Sequence, residues 1–312
     1  MQENISFEIY QGDRGKPFKD LIRGLLEKGK LKQKYIDVLT NDKNMKFYSQ
    51  AFTAASANSD VNYEIYEQIG DVSANKFIVW YAYKRFPQLK CPLGVKVVAR
   101  LRINYGAKQS FASIAENLGF WPFISAQEDG LDRSAKYRSR HKKDLLEDVL
   151  EAFVGCTEQI LDDEYRPGVG YAIVYDILST IFDDIPISLK FEDLIDAKTR
   201  MKEIFDAFGH SLGSFQFIDS REEDVSSDGE PFRYAVSLLF RVPSGETKQP
   251  VKKTNQQGET VMLPQRSWVL IGKGQGSKKT DAQQRASEAG IQTLNRQGYK
   301  KEVPVEYKLF CN

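Results

Sequence analysis

The order of apolar and polar residues divides the chain into two differently patterned parts. Between residue 17 and about residue 185, apolar residues recur with the three- and four-residue spacing of amphipathic helices. This spacing predicts helices over residues 18–26, 61–86, 97–105, 111–118, 143–162 and 171–182. No strand-like alternation precedes residue 200, so the pattern predicts an all-α first domain.

The pattern changes after the segment Pro186–Asp196, where we place the domain boundary. It predicts a helix over 197–208, strands over 214–219, 234–240 and 268–272, and a last helix over 279–294. The polar segment 243–264 is expected to be a long loop. The sequence therefore predicts a multidomain protein, with an all-α domain at residues 1–190 and an α+β domain of α-β-β-β-α order at residues 191–312.

Cysteine and histidine are too scarce for several kinds of site. The three cysteines are scattered and there are two histidines, which excludes a disulfide framework and a cysteine-based zinc site. Any bound metal must then be held by carboxylates, which favours Mg²⁺ or Mn²⁺. No apolar run could span a bilayer, and the first residues do not resemble a signal peptide. We therefore expect no membrane association and an intracellular location, cytoplasmic or nuclear.

Charge is distributed unevenly along the chain. The net charge is +1, yet residues 248–300 hold ten Lys or Arg against three acids. The C-terminal part is thus basic and the remainder acidic, an arrangement typical of a polyanion-binding module joined to another domain. A solvated basic face is the alternative interpretation.

Acidic residues recur on one face of two predicted helices. Glu64, Glu67 and Asp71 have i, i+3, i+7 spacing, and Asp148 and Glu151 lie one turn apart within an apolar segment. Buried carboxylates repel one another unless they are protonated or matched by a cation. Two such faces set against each other would supply oxygen ligands for one or two Mg²⁺ ions, which can promote phosphodiester hydrolysis.

The alternative interpretation is that these acids are exposed or form salt bridges with Arg100 or Arg102. Two glycines inside the same helices, Gly70 and Gly155, argue against it. A glycine within a helix lowers helix propensity and often marks a close approach of another helix.

These segments resemble the motifs of a known family. Glu64–Asp71 (EIYEQIGD) resembles the ribonuclease III signature E-R-L-E-F-L-G-D, and Asp148–Gly155 (DVLEAFVG) resembles its second motif, D-x-x-E-A-x-x-G. Ala51–Ser56 is similar to the upstream element A-F-T-H-x-S. The segment 197–298 resembles a double-stranded-RNA-binding domain, in which Gly272–Lys279 is similar to the G-x-G-x-S-K-K opening of the last helix.

The resemblance implies an Mg²⁺-dependent endoribonuclease that cuts double-stranded RNA as a homodimer and leaves 5′-phosphate and 3′-hydroxyl ends. Mn²⁺ is expected to substitute for Mg²⁺. The implied metal ligands are Glu67, Asp71, Asp148 and Glu151, with Asp71 and Glu151 catalytic and Glu64 a secondary carboxylate. The implied RNA-binding residues are Glu203, Lys273, Lys278, Lys279 and Gln283.

The chain departs from the family pattern at two positions of interest. Gln68 stands where the family usually has a Phe that packs across the dimer, and Ala54 replaces the His of the upstream element. These departures favour a second hypothesis, in which the chain is a double-stranded-RNA-binding scaffold or sequestrant with a degenerate nuclease fold. The intact set of acids favours the enzyme.

Overall fold

The architecture comes from a computed structural model, which describes residues 8–128, 135–225, 231–242, 250–254, 260–264, 268–276 and 278–310. The chain divides into two compact units, Met1–Ile187 and Ser188–Asn312. None of the helices in these ranges is long and apolar enough to cross a membrane.

The first unit is built from eight described α-helices and one small sheet. The helices are α1 (Lys16–Lys28), α2 (Gln33–Leu39), α3 (Asp42–Ala51), α4 (Glu64–Arg85), α5 (Gly94–Tyr105), α6 (Lys108–Asn117), α7 (Ala135–Glu164) and α8 (Val169–Asp183). The six predicted helices correspond to α1 and α4–α8, and their existence is confirmed. The sheet pairs β1 (Glu8–Tyr10) antiparallel with β2 (Ala126–Glu128), so the expectation of no strand before residue 200 was wrong. Strands of three residues are too short to show an alternating pattern.

Helix α7 lies at the centre of this unit and packs against α3, α4, α6 and α8. Its middle section is apolar on nearly every side because neighbours surround it. Aromatic side chains fill the space between these helices, including Phe77, Phe120, Phe153 and Phe182, all fully buried. The α4–α7 pair is the most extensive helix contact of the unit.

Helix α4 begins at Glu64 rather than near the predicted residue 61. The Asn58 side chain accepts hydrogen bonds from the amides of Asp60 and Val61, and the Asn62 side chain accepts one from the amide of Glu64. These local bonds hold residues 58–62 in a turn, which competes with an earlier helix start.

The second unit has the predicted order of helix, three strands and helix, with additional elements. It contains α9 (Phe191–Leu194), α10 (Ala197–Leu212), β3 (Phe215–Val225), β4 (Pro231–Arg241), β5 (Pro250–Thr254), β6 (Thr260–Pro264), β7 (Val269–Gly276), α11 (Lys279–Arg296) and α12 (Val305–Lys308). An antiparallel sheet of order β3-β4-β7 forms its middle, and α11 packs against it.

One further feature distinguishes this unit from the sequence-based expectation. Strands β5 and β6 pair with each other inside the segment that we expected to be a loop, and this prediction was wrong. Val251, Thr254, Thr260 and Val261 are β-branched, a residue type that favours strands, although the segment as a whole is polar. On β7, side chains at Gly272 and Gly274 would overlap backbone atoms of α11, so these glycines allow the helix to lie directly on the strand.

Candidate active site

Two glycines bring α4 and α7 into backbone contact at the candidate site. A Cβ at Gly70 would overlap the carbonyl oxygen of Glu151, and a Cβ at Gly155 would overlap the carbonyl oxygen of Tyr66. Only residues without a side chain fit at this crossing. The crossing therefore sets the acidic face of α4 against the acidic face of α7, as the two glycines in the sequence predicted.

The acids at this crossing differ in exposure. Glu64 is exposed, Glu67, Asp71 and Asp148 are half-buried, and Glu151 is 6% exposed. An apolar pocket adjoins Glu151 and is lined by Ala74, Phe77, Phe111, Ile114, Leu150, Val154, Leu178 and Phe182. These apolar neighbours remove the Glu151 carboxylate from water, which is costly for a charged group.

Electrostatic interactions join these carboxylates into one cluster. Burial, together with the negative charges of Glu147, Asp71, Glu67 and Asp148, raises the pKa of Glu151 to about 8. Burial, together with repulsion from Asp148, Glu147 and Glu64, likewise raises the pKa of Glu67 to about 7. Raised pKa values that combine burial with like charges are typical of functional sites. The cluster thus carries more negative charge than its surroundings can stabilise.

The structure adds two acids and a cation that the sequence analysis missed. Lys108 on α6 places its Nζ atom 2.5 Å from Glu147 Oε2 and 3.1 Å from Asp144 Oδ1. Asp144, Glu147, Asp148 and Glu151 have i, i+3, i+4, i+7 spacing, so the sequence did contain a signal for a longer acidic face. No sequence pattern indicates Lys108. The salt-bridge partners that the sequence suggests for these acids are Arg100 and Arg102 instead.

Neutral groups donate hydrogen bonds to two of the acids. The Tyr63 hydroxyl donates to Asp148 Oδ2 at 2.7 Å, and Asn75 Nδ2 donates to Asp71 Oδ1 at 2.7 Å. Burial and the charge of Asp148 raise the pKa of Tyr63 well above its ordinary value, so its hydroxyl keeps its proton. These bonds restrict both carboxylates without cancelling their charge.

The carboxylates do not surround a common point as they stand. Within the described residues, no group of three His, Cys, Asp or Glu side chains is arranged so that it could hold a metal ion. The donor chemistry nevertheless fits a hard divalent cation, because the cluster is made of carboxylates and has excess negative charge. Glu67, Asp71, Asp148 and Glu151 are the residues that could hold such an ion.

The predicted RNA-binding residues of the second unit fall into two groups. Lys273 and Lys278 are exposed, on β7 and immediately before α11. The other three form contacts within the unit: Lys279 Nζ lies 2.5 Å from Asp219 Oδ2, Gln283 is buried and donates to Asp219 Oδ1 at 3.1 Å, and Glu203 Oε2 lies 2.8 Å from Lys301 Nζ.

Comparisons with known proteins agree with the geometry of the first unit. Residues 64–158 match the Ribonuclease III domain family. A protein of Invertebrate iridescent virus 6 is 38% identical over 99% of this chain and its own full length. A protein of Frog virus 3 is 35% identical over 87% of this chain and 62% of its own length, and both proteins carry the name "Putative ribonuclease 3". Among solved structures, the nuclease domain of ribonuclease III from Campylobacter jejuni aligns with 50% of this chain and 99% of its own, at 26% identity and a TM-score of 0.36.

The relationship to the iridescent virus protein covers nearly every residue of both chains. Together with the domain match across the α4–α7 crossing, it shows that the chain belongs to the ribonuclease III family of endoribonucleases.

Proposed function

We propose that the protein is a metal-dependent endoribonuclease that cleaves double-stranded RNA and leaves 5′-phosphate and 3′-hydroxyl ends. The observation that carries this proposal is the α4–α7 crossing, where Glu67, Asp71, Asp148 and Glu151 share one electrostatic cluster. Family membership supports phosphodiester hydrolysis in RNA.

The metal in this proposal is Mg²⁺, with Mn²⁺ as a substitute. Carboxylate oxygens are the ligands that both ions prefer, and a divalent cation would offset the repulsion that raises the pKa values of Glu67 and Glu151. When bound, such ions activate water and stabilise the leaving oxygen of a phosphodiester. Asp71 and Glu151 are assigned to the position nearest the attacking water, and the exposed Glu64 to a secondary role.

The second unit is proposed to bind the RNA duplex as a double-stranded-RNA-binding domain. Its element order of helix, three strands and helix supports this assignment, as do the exposed Lys273 and Lys278. Lys278 directly precedes α11, where backbone N–H groups and the helix dipole favour phosphate. Such a domain reads the 2′-hydroxyls and phosphates of A-form RNA rather than its sequence.

Three of the proposed RNA contacts require an exchange of partners. Lys279 would exchange Asp219 for a phosphate, and Glu203 would exchange Lys301 for a 2′-hydroxyl. Gln283 is buried beside Asp219, so its contact with RNA would need a local rearrangement. Lys273 and Lys278 are therefore expected to contribute most in the first encounter.

A homodimer is proposed because one cluster can cut one strand, and cutting both strands in one encounter needs two clusters. The exposed side of α4 carries a stripe of apolar side chains: Ile65, Val72, Trp80 and Tyr83. Exposed apolar side chains that share one helix face are typical of protein interfaces. Gln68 lies between Ile65 and Val72, and its amide would need a hydrogen-bonding partner across the interface.

Cleavage of long duplex RNA in the presence of Mg²⁺ tests the enzyme proposal. Glu151→Gln keeps the side-chain shape but removes its charge, so it should abolish cleavage and leave RNA binding largely intact. Ca²⁺, which is larger and less strict in geometry, should support binding but little cleavage. A parent protein that binds duplex RNA tightly and never cuts it would instead favour the scaffold or sequestrant.

Salt dependence tests the RNA-binding unit. A Lys278→Ala/Lys279→Ala double variant of the full chain should bind duplex RNA more weakly and lower the slope of log affinity against log salt by about one to two. Binding to duplex DNA should be much weaker. Equal affinity for duplex DNA would mean that charge alone is recognised.

Light scattering on the free protein and on its Mg²⁺-free RNA complex tests the dimer. Val72→Glu places a charge in the apolar stripe and should shift the protein toward the monomer. A parent that is monomeric in both states and nicks a single strand would refute the dimer.

A further inference from the structure

We propose that Tyr63 is a positioning residue of the active site, whose hydroxyl restrains the Asp148 carboxylate through one oxygen and leaves it able to receive a divalent cation. This inference rests on the proposed function. It concerns a contact between α7 and the residue just before α4, on which the family motifs give no information.

The backbone holds Tyr63 in place on both sides. Its amide donates to the carbonyl of Thr53 at 2.9 Å, and its carbonyl accepts from the amide of Glu67 at 2.9 Å. Its side chain is 7% exposed. The ring therefore has a fixed position at the start of the helix that carries Glu64, Glu67 and Asp71.

From this position the hydroxyl reaches across to the opposite helix. Tyr63 and Asp148 are 85 residues apart in sequence, and the 2.7 Å hydrogen bond uses Asp148 Oδ2. A carboxylate has two oxygens and about four acceptor positions, so positions remain for a metal beside the bond from Tyr63 and the contact with the neighbouring Glu147 carboxyl. The bond limits rotation of the carboxylate, which would otherwise turn away from the other negative charges of the cluster.

The chemical nature of the donor matters as much as its position. Lys108 contacts Glu147 and neutralises its charge, whereas Asp148 receives its bond from a neutral hydroxyl. A cationic donor in its place would cancel the charge that attracts the metal. A tyrosine orients the carboxylate and preserves that charge, as partners of metal ligands commonly do.

Tyr81, which lies on α4, supplies a control for Tyr63. The Tyr81 hydroxyl donates to Asp183 Oδ1 at 2.6 Å, and Tyr81 is also buried. Tyr63→Phe and Tyr81→Phe therefore each remove one oxygen and one hydrogen bond to a carboxylate, and Tyr81→Phe also removes the bond that the hydroxyl accepts from Arg85 Nη1 at 2.6 Å. Only Tyr63→Phe removes a bond within the acidic cluster.

The experiment measures Mn²⁺ binding to the full-length protein by titration calorimetry, in the absence of RNA. Tyr63→Phe should weaken Mn²⁺ binding about tenfold, the lower end of what loss of a ligand's partner typically costs. The Mg²⁺ concentration that gives half-maximal cleavage should rise by a similar factor, while KM for duplex RNA at saturating Mg²⁺ stays unchanged. Tyr81→Phe should leave all three quantities within twofold of the parent.

Unfolding midpoints show whether both variants fold and lose comparable stability. A Tyr63→Phe protein that binds Mn²⁺ as the parent does would overturn the role of Tyr63 and leave the proposed enzyme intact. A parent that binds no Mn²⁺ would overturn the metal-dependent function itself, and this proposal with it. The two failures are therefore distinguished by the parent protein alone.

Discussion

The carbonyl oxygen of Glu151 occupies the place where a side chain at Gly70 would begin. This contact links the local sequence of α4 to the position of a proposed catalytic residue on α7. Because the backbones touch, no side chain separates the acids of the two helices. The close approach of the two helices therefore determines how near their acidic side chains lie to one another.

Gly70→Ala should therefore destabilise the protein by about 1–3 kcal/mol or more, because the new methyl group overlaps backbone rather than a movable side chain. Gly24→Ala on α1 is the matched control, since a Cβ there meets nothing within 4 Å. That change should be neutral or stabilise by up to about 1 kcal/mol through helix propensity. Urea unfolding of both variants measures the difference, and equal stabilities would contradict the close crossing.

The metal-free protein should lose stability as the pH rises from about 5 to about 8. Burial and neighbouring charges raise the folded-state pKa values of Glu67 to about 7 and of Glu151 to about 8, above the ordinary value of 4.5. The folded state therefore keeps protons that the unfolded state has released, and its stability is lost as those protons leave. A tenfold change in proton affinity is worth about 1.4 kcal/mol, and solvent screening of the partly buried Glu67 and of their mutual repulsion reduces the sum, so the loss should be about 2–4 kcal/mol.

Unfolding free energies measured in EDTA between pH 5 and pH 8.5 give the slope of stability against pH and so check this prediction. Glu151→Gln should flatten it, whereas Glu27→Gln, which changes an exposed carboxylate on α1, should not. Added Mg²⁺ should restore stability at pH 8 in the parent but much less in Glu151→Gln. A stability that is independent of pH in the parent would contradict the raised pKa values.

The sequence predicted the parts of the site that depend on local periodicity. The spacing of Glu67 and Asp71, and of Asp148 and Glu151, is a property of each helix alone, and so is the interruption by Gly70 and Gly155. These features predicted the two helices and, at each glycine, the close approach of another helix.

Contacts between distant segments could not be predicted in the same way. Tyr63 reaches Asp148 across 85 residues, and Lys108 reaches Glu147 from another helix. Nothing in the sequence around Tyr63 or Lys108 marks them, because their roles arise only when the helices pack. The β1–β2 pair was missed for a related reason, since each strand has three residues and its partner lies more than a hundred residues away.

Lys108→Met should destabilise the protein at pH 7.5 by about 1–3 kcal/mol, because it leaves the mostly buried Glu147 carboxylate without its cation. Glu147→Gln removes the matching charge, so the double variant should recover much of the loss. Lys43→Met is the control, because Lys43 forms an exposed pair with Glu164 at 3.4 Å and exposed pairs contribute about 0–1 kcal/mol. Urea unfolding of the single and double variants gives the coupling free energy between Lys108 and Glu147. Losses of stability that simply add in the double variant would contradict a direct ion pair.

Asp219 should limit the RNA affinity of the second unit, because it occupies Lys279. The Asp219 carboxylate lies 2.5 Å from Lys279 Nζ and also accepts from Ser237 and Gln283. Asp219→Asn keeps a group that can accept these neutral hydrogen bonds but removes the charge that competes with RNA phosphate. Duplex RNA should then bind a few-fold more tightly, and the salt slope should steepen by up to about one.

Fluorescence anisotropy with duplex RNA at several salt concentrations measures both quantities. Asp206→Asn, on the exposed side of α10, changes the net charge equally and separates the release of Lys279 from the effect of total charge. In a Lys279→Ala background, Asp219→Asn should no longer increase affinity, because no ammonium group remains to be released. An equal gain in both backgrounds would show that Asp219 repels RNA by its charge alone and does not restrain Lys279.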